Sequence, residues 1–317
     1  MAEKRIRRFP LPPAAESAAE SWRSFGSRRP LQARDAASLI LLRDGADGPE
    51  LLLKHRLEDS PLGQLSFPGG VCGRDDAEAL GWYGRPLHDW AVQLGETDYG
   101  QVRRFVVAAI RHLFVETGYL LAGPDEFSLA EDLHGEETMQ ARFALANEDK
   151  TLAKLLNRRG WGVRSDLLRP IGIWSTPDFA HRRFNTHYFV AAAPAGQSHS
   201  VLEGSQSWLG WVNVAEMVAT QHTSWLGEFV GAPDTIGLSF PQLTTPAVRL
   251  FCEALNRYSG SVAFLLNVSP RTKVPHLQAQ LGEDDERNEL VVEFNAAAQQ
   301  SIWAGGEHQR RTLDLTP

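Results

Sequence analysis

Apolar residues recur at helical spacing in the stretch AAIRHLFVETGYLL and in the residues just before it. Spacings of three and four positions place them on one face of an amphipathic helix, which we expect to begin near Phe105. Gly118 follows the last of them, and glycine commonly ends a helix in the left-handed conformation. The residues predicted to form the buried stripe are Val106, Val107, Ile110, Leu113, Phe114 and Thr117.

Two apolar runs earlier in the chain predict a β-hairpin. Ser38–Leu42 and Glu50–Lys54 flank a turn rich in Gly and Asp, which is typical of two antiparallel strands. The next segment, QLSFPGGV at residues 64–71, predicts a short strand that ends in a Pro-Gly-Gly turn.

The rest of the pattern mixes helical and extended segments. We expect helices at LHDWAVQL, within residues 126–159 with LAKLLNRR as the clearest segment, and at PQLTTPAVRLFCEALNRY. Segments rich in β-branched and aromatic residues predict strands at LLRPIGIWST, NTHYFVAAAP and SVAFLLNV, and SWLGWVNVAEMVA predicts a strand leading into a helix. This order indicates an α+β sandwich rather than a parallel doubly wound sheet.

Composition adds limits to this outline. Residues 1–34 carry several Pro, Ser, Arg and Ala residues without apolar periodicity, so we expect a mostly disordered arm. The net charge of −7 argues against a nucleic-acid partner bound through a global positive field. No apolar run approaches the roughly 18 residues of a membrane helix, so we expect no membrane partner. The first residues lack the apolar core of a secretory signal, and a cytoplasmic location is expected.

The chain has only two cysteines, Cys72 and Cys252. Two cysteines are too few for a disulfide framework, and neither has the spaced His or Cys neighbours of a zinc site. We expect both to be buried or inert thiols.

The segment FPGGV, followed later by Arg-His-Leu-Phe-Val-Glu-Thr-Gly-Tyr, resembles the Nudix hydrolase signature Gly-x5-Glu-x7-Arg-Glu-U-x-Glu-Glu-x-Gly-U, in which U is bulky and apolar. Gly70 and Arg111 are 41 positions apart, 27 more than in the short signature. Such an insertion resembles a branch of peroxisomal coenzyme A diphosphatase-like proteins and their bacterial relatives, as do LLLKHR, the block from LLRPIGIWST to NTHYFVAAAP, and WVNVAEM. The matching positions are Gly70, Asp76, Arg111, Leu113, Glu116, Gly118 and Tyr119.

The resemblance implies a fold and an activity. The fold is an α/β/α sandwich with a mixed sheet, with a long insertion at about residues 77–104 and an additional C-terminal helix and strand, over residues 35–275. A C-terminal extension follows at residues 276–317. The activity is hydrolysis of a nucleoside-diphosphate-linked small molecule, such as a coenzyme A-like diphosphate. Carboxylates on the signature helix of the family hold Mg²⁺ or Mn²⁺, which are hard cations that prefer oxygen ligands.

Two of the three helix acids of the signature are replaced here. The three positions are occupied by His112, Val115 and Glu116, so only one carboxylate remains. Valine offers no oxygen, and histidine suits zinc or other transition metals better than magnesium. The metal-dependent reaction should therefore be badly impaired unless other acids substitute.

By the resemblance, the candidate metal ligands are Glu116, Asp76 and the Gly70 carbonyl, with Arg111 holding a carboxylate in place. Asp75 and Glu78 follow the same Gly-Gly loop and are further candidates. The branch also tends to carry an acid where this chain has Ser205, and Glu203 and Glu216 are near it in sequence.

Basic and aromatic residues suggest where a substrate would bind. Arg56, with Lys54 and His55, ends a strand near the Gly-Gly loop, and Arg182 and Arg183 follow His181 before another strand. Arginine is well suited to pair with phosphate oxygens, although a solvated loop or an exposed strand end explains these groups equally simply. Trp82 and Trp90 in the insertion are candidates for stacking on a base or lining an acyl groove, with core packing as the alternative.

Two functional hypotheses remain from the sequence. The first is a metal-dependent diphosphate hydrolase weakened by the replaced acids, with Glu116 and Arg111 as its catalytic residues. The second is a non-catalytic Nudix module that binds a nucleotide-like ligand or a partner protein. The oligomeric state is left open.

Overall fold

The structure, a computed structural model, describes residues 5–25, 29–56, 63–131, 133–202, 208–268, 273–282, 288–299 and 301–304. The strands in these ranges are β1 (Arg5–Pro10), β2 (Arg34–Gly45), β3 (Gly48–His55), β4 (Leu65–Ser66), β5 (Gly69–Val71), β6 (Gly81–Tyr83), β7 (Ala122–Gly123), β8 (Gly162–Arg164), β9 (Arg169–Ser175), β10 (Phe184–Ala192), β11 (Leu209–Asn213), β12 (His276–Leu281) and β13 (Glu289–Phe294).

The α-helices in the same ranges are α1 (Glu16–Ser24), α2 (Leu87–Leu94), α3 (Tyr99–Thr117), α4 (Glu136–Ala146), α5 (Leu152–Arg159), α6 (Val214–Ala219), α7 (Trp225–Val230), α8 (Phe240–Leu243), α9 (Pro246–Leu255), α10 (Ser261–Asn267) and α11 (Ala296–Gln299). None of them is both long enough and apolar enough to cross a membrane, as far as the described residues go.

The main sheet is mixed and runs in the order β1-β13-β12-β9-β10-β2-β3-β11, with β4 paired to β3 and β5 paired to β2. The predicted hairpin is confirmed, because β2 and β3 pair antiparallel around a tight turn. The parallel neighbours in the sheet are β10 with β2, and β12 with β9. The segment predicted as one short strand at residues 64–71 forms the two strands β4 and β5.

Helices cover both faces of this sheet. Leu39 and Leu41 of β2 point into one apolar cluster with α3, whereas Ile40 and Leu42 point into a second cluster with α9. Side chains alternate between faces along a strand, so a strand that is buried on both faces reads as a continuous apolar run. The predicted α+β sandwich with a mixed sheet is confirmed.

Helix α3 crosses the first face and carries the residues of the signature. All six residues of the predicted stripe are buried, and Gly118 ends the helix with φ of 84°. The predicted start near Phe105 is wrong, because the helix begins at Tyr99. The Asp98 carboxylate accepts a hydrogen bond from the backbone N–H of Gly100 at 2.7 Å, which caps the helix N-terminus.

The insertion at residues 77–104 contributes β6, α2 and the first turns of α3. Strand β6 joins β8 and β7 in a separate three-stranded sheet. Helix α2 coincides with the predicted segment LHDWAVQL, and its Trp90 is fully buried against Phe189 of the main sheet. The insertion is therefore packed onto the side of the sheet that carries α3.

The prediction of a disordered arm is wrong for the described residues of that arm that form β1 and α1. Strand β1 pairs antiparallel with β13, more than 270 residues away in sequence. Phe9 is only 2% exposed within the second apolar cluster, and Arg7 forms an ion pair with Glu253 at 2.9 Å. Composition did not reveal this order because the partner strand lies at the other end of the chain.

Two further predictions need correction near the C-terminus. SVAFLLNV is the helix α10 rather than a strand, since a short apolar run does not distinguish a buried helix from a strand. The backbone N–H of Ser261 at its start donates to the Asp44 carboxylate at 2.6 Å, a tertiary cap that local sequence does not show. PQLTTPAVRLFCEALNRY divides into α8 and α9, which are separated by Thr244 and Thr245.

The described part of the C-terminal extension adds β12 and β13 to the edge of the main sheet. The segment predicted as helical at residues 126–159 holds α4 and α5, and α5 coincides with LAKLLNRR.

We predict that Phe9→Ala lowers the free energy of unfolding by about 3–5 kcal/mol, because it opens a cavity in the core. Ile6→Ala, in the same strand but at a position that is 45% exposed, should change it by only about 0.5 kcal/mol. Chemical denaturation of both variants measures the difference. Equal, negligible losses would indicate that β1 does not dock on β13.

Candidate active site

Strands β3 and β5 and helix α3 bring one ionic contact together. The Lys54 ammonium donates a hydrogen bond to Oε1 of Glu116. The other oxygen, Oε2, accepts the backbone N–H of Gly69 at 2.9 Å. Lys54 lies two residues after Leu52 in β3 and therefore points to the face covered by α3. Both oxygens of the remaining helix carboxylate are thus engaged by groups of the protein itself.

The contact between Lys54 and Glu116 is largely shielded from water, with side chains that are 9% and 17% exposed. Burial alone raises the pKa of Glu116, but the charge of Lys54, its hydrogen bond and the other nearby basic groups together bring the pKa below its usual value. Burial lowers the pKa of Lys54, and Glu116 opposes that shift. An ionised carboxylate next to an ammonium group is the state that satisfies both groups.

Asp76 does not join Glu116. Arg111 donates two hydrogen bonds to its carboxylate, at 2.7 and 2.8 Å, in the bidentate geometry that suits guanidinium and carboxylate groups. The backbone N–H of Gly73 donates to the same carboxylate at 2.7 Å. Asp76 is 3% exposed, so this pair ties the loop after β5 to α3. The predicted role of Arg111 in holding a carboxylate fits this geometry, whereas Asp76 as a metal ligand does not.

His112 occupies the space next to the Gly-Gly turn. A Cβ atom at Gly70 would lie 2.5 Å from Cε1 of the imidazole, so only glycine fits there. Burial, followed by the charge of Arg111, lowers the pKa of His112 to about 4. The ring is neutral at pH 7, and Nε2 lies 3.0 Å from the Val71 carbonyl oxygen, to which it donates a hydrogen bond. Val115 packs at the edge of the apolar cluster on this face.

These residues do not fit a magnesium or manganese ion. The described residues contain no group of three or more His, Cys, Asp and Glu side chains that could hold a metal. Glu116 is paired with Lys54, Asp76 with Arg111, and position 115 offers no side-chain oxygen. Glu78 accepts a hydrogen bond from the Thr151 hydroxyl at 2.7 Å. Hard divalent cations need several oxygen ligands, and one carboxylate shared with an ammonium group does not provide them.

The other predicted site residues are distributed more widely. Arg56 directly follows the last residue of β3 and lies two positions after Lys54. Its Nε donates a hydrogen bond to the Ser66 hydroxyl at 2.8 Å. His55 is buried and its Nε2 lies 3.0 Å from an Asp234 carboxylate oxygen. Arg183 directly precedes β10. It forms an ion pair with Asp178 and donates a hydrogen bond to the Leu31 carbonyl, and none of these residues belongs to the Glu116 cluster. Arg182 is exposed in the loop before β10.

The remaining candidates have packing roles or lie outside this cluster. Trp90 is fully buried, so it cannot stack on a ligand, and Trp82 donates from Nε1 to the Arg85 carbonyl at 2.7 Å. Asp75 and Glu216 are exposed, the first in a 3-10 turn after β5 and the second in α6. Glu203 and Ser205 lie outside the described residues.

Both cysteines are buried free thiols, as predicted. Burial raises the pKa of Cys72 and of Cys252, which keeps both thiols protonated and unreactive.

One residue next to this cluster was not indicated by the sequence pattern. Arg142 of α4 is fully buried, and burial lowers its pKa to about 10. Its guanidinium donates to the Val115 carbonyl at 2.9 Å, and to the hydroxyl and carbonyl of Ser200 at 2.7 and 2.9 Å. The weak amphipathic pattern of α4 gives no reason to place an arginine in the interior. Its position becomes clear only once the carbonyl groups at the end of α3 are located.

Comparison with solved structures supports the fold. A Nudix hydrolase from Alicyclobacillus acidocaldarius has a TM-score of 0.57 at 22% identity, over 75% of this chain and 97% of that chain. The NUDIX domain of Shewanella oneidensis NrtR, complexed with ADP ribose, gives a TM-score of 0.32 at 11% identity, over 60% and 78% of the two chains. A C. elegans Ap4A hydrolase in a binary complex gives 0.29 at 12% identity, over 62% and 93%.

No family model matches the sequence, and no curated protein matches it. The first structural likeness shows that the chain has the Nudix hydrolase fold, as the resemblance implied. The two more distant structures add no argument.

We predict that Lys54→Met lowers the free energy of unfolding by about 3 kcal/mol, because it leaves the Glu116 carboxylate buried without its counter-charge. The double variant Lys54→Met with Glu116→Leu removes both charges and should lose at most about 1 kcal/mol relative to the native chain. Chemical denaturation distinguishes the two. Equal losses in the single and double variants would show that the ionic contact is not formed.

We also predict that stability falls as the pH drops from about 6.5 to 4. An unfolded histidine takes up a proton near pH 6.5, whereas folded His112 does so only near pH 4. The unfolded state binds more protons between these values, so His112 contributes a loss of up to about 1.4 kcal/mol per pH unit. His112→Gln should flatten the profile in this window, and His88→Gln, at an exposed position in α2, should not. An unchanged slope in His112→Gln contradicts the prediction.

Proposed function

We propose that this chain is a Nudix-fold protein that binds a nucleoside-diphosphate-linked small molecule without hydrolysing it by the metal-dependent route of the family. The observation that carries the proposal is the contact of Glu116 with the Lys54 ammonium and the Gly69 amide. By the resemblance, Glu116 is the one helix acid that remains of three, and the Nudix signature is degenerate at His112 and Val115.

Electrostatics oppose a divalent cation at Glu116. Such an ion would compete with the Lys54 ammonium for the same carboxylate, and two positive charges in a partly dry site repel each other strongly. Displacing Lys54 from Glu116 would leave a mostly buried ammonium group without its counter-charge, which is costly. His112 does not offset these costs, because its Nε2 donates to the Val71 carbonyl.

The class of ligand is supported by charge and by the resemblance. Arg56 lies two residues after Lys54 in sequence and adds a second positive charge at the end of β3, and Arg111 borders the same loop. Guanidinium and ammonium groups recognise diphosphate oxygens through charge-assisted hydrogen bonds. The resemblance to coenzyme A diphosphatase-like proteins favours a compound that contains such a diphosphate. Arg182 and Arg183 remain predicted substrate contacts.

A weak metal-dependent hydrolase is the second candidate. Its support is that Glu116 and the Arg111–Asp76 pair are both retained beside the Gly-Gly turn. In that case Glu116 would have to exchange Lys54 for a Mg²⁺ or Mn²⁺ ion and recruit further oxygen ligands.

We predict that the native chain releases no product from coenzyme A, NADH or ADP-ribose with Mg²⁺ or Mn²⁺, while calorimetry without added metal detects binding of at least one of them. The triple variant Lys54→Gln, His112→Glu, Val115→Glu frees Glu116 and restores two acids. It should gain metal-dependent hydrolysis of about 100-fold or more above background, the scale on which catalytic groups act. Chromatography of the products measures both results.

A matched control is the pair His88→Glu and Val92→Glu, which places two acids at exposed positions of α2, 64% and 65% exposed. It should leave the native chain inactive. Robust hydrolysis by the native chain that disappears in Glu116→Gln would overturn the proposal in favour of the second candidate.

A further inference from the structure

Two cavities lie along α3. The first has a volume of about 550 Å³ and contains four arginines, Arg34, Arg74, Arg104 and Arg111. The second has a volume of about 330 Å³ and is bordered by β10, β12 and α3. Asp35 at the start of β2 lines both. Small-molecule sites in proteins have volumes of about 300–1,000 Å³, which is the range of these cavities.

The arginine cavity has two guanidinium groups that no neighbour neutralises. Asp76 engages Arg111, and Asp35 lies 3.2 Å from Arg104. Within the described part of the chain, the guanidinium groups of Arg34 and Arg74 have no hydrogen bond and no ion pair. Two carboxylates line the same cavity, Glu148 and the Asp35 that pairs with Arg104. Unpaired guanidinium groups that line one cavity suit the oxygens of a phosphate or diphosphate.

Arg104 is held in place in the lining of the first cavity. Its guanidinium donates to the carbonyl oxygens of Cys72 and Gly73 at 3.1 and 3.2 Å, in addition to its contact with Asp35. Asp35, which lines both cavities, is therefore paired with an arginine that the main chain holds in place.

The second cavity contains a buried nitrogen that the described residues leave without a partner. His187 is 4% exposed, lines this cavity, and its Nδ1 has no hydrogen bond. The ring stacks on Phe105 with centroids 3.7 Å apart and planes 16° from parallel. Burial, followed by the charge of His276, lowers the pKa of His187 to about 3, so the ring is neutral at pH 7. Buried polar groups without a partner are rare and costly, and they indicate a hydrogen bond made to something else.

Other polar groups surround His187 in this cavity. Asn185, Gln101 and His276 line it, and the His276 ring is held by the Ser175 hydroxyl at 2.7 Å. This set of donors and acceptors next to an aromatic ring suits a polar heterocycle better than an aliphatic chain.

We infer that the two cavities form one cleft that binds a nucleoside diphosphate, with its phosphates at Arg34 and Arg74 and its base at His187. The inference rests on the proposed function for the class of ligand, and it places that ligand in cavities whose linings do not include Lys54, Arg56 or Glu116. In this arrangement, binding requires no metal and no contact with the replaced acids.

The test measures binding of ADP and of inorganic pyrophosphate to the full chain by calorimetry, without added metal. Arg34→Gln with Arg74→Gln should weaken both by about 10- to 100-fold, since each charge-assisted contact accounts for about tenfold. Arg5→Gln, at another exposed arginine in β1, should bind like the native chain. His187→Phe keeps the stack on Phe105 and removes both ring nitrogens. It should weaken the affinity for ADP by about three- to tenfold and leave the affinity for pyrophosphate unchanged. Unchanged pyrophosphate binding also shows that the variant is folded.

Loss of affinity for both probes in the double arginine variant, and for ADP alone in the histidine variant, supports the cleft. Unchanged affinities in the double arginine variant, or no binding of either probe by the native chain, overturn it. If ADP binds undiminished to the arginine variant and is not hydrolysed, the cleft fails while the proposed function stands. If the native chain hydrolyses the substrate panel with Mn²⁺, the proposed function fails, and the arginine and histidine variants still decide the cleft.

Discussion

The contact between Lys54 and Glu116 is the interaction on which the arrangement of the candidate site depends. It joins a sheet strand, the Gly-Gly turn and the long helix α3 in a mostly dry position, and it consumes both oxygens of the one helix acid there. A buried pair of this kind contributes little to stability as a pair, but breaking it by removing one member is expensive. In the proposed function, the pair therefore opposes a divalent cation, which would need only the carboxylate member.

Two contacts fix the architecture around this ion pair. The Arg111–Asp76 pair fixes the loop after β5 on α3, and His112 fills the space over Gly70 that no larger residue at position 70 would share. The Arg111–Asp76 pair and the His112 ring are both held against the mixed sheet, because the buried stripe of α3 packs on that sheet. Shape and reactivity are thus separable here, because the scaffold depends on apolar packing and main-chain contacts, whereas metal binding depends on oxygens that are absent from positions 112 and 115.

Local patterns predicted the parts of the fold that local forces specify. The stripe of α3, the hairpin of β2 and β3, and α5 follow from apolar spacing and turn residues within a few positions of one another. Strand β1 and helix α10 were predicted incorrectly, since their partners, β13 and the Asp44 carboxylate, are distant in sequence. The same holds for the site. The signature identified Glu116, Arg111 and Asp76, but no spacing rule shows that Lys54 reaches Glu116 or that Asp76 is reserved for Arg111.

Arg142 fixes the main chain of α3 at position 115. Its guanidinium donates a hydrogen bond to the main-chain carbonyl of that residue and another to the Ser200 hydroxyl. The last turn of α3 is thus anchored through its backbone, independently of which side chain residue 115 carries. A different side chain at position 115 would therefore leave the hydrogen bond from Arg142 to the main chain of α3 available.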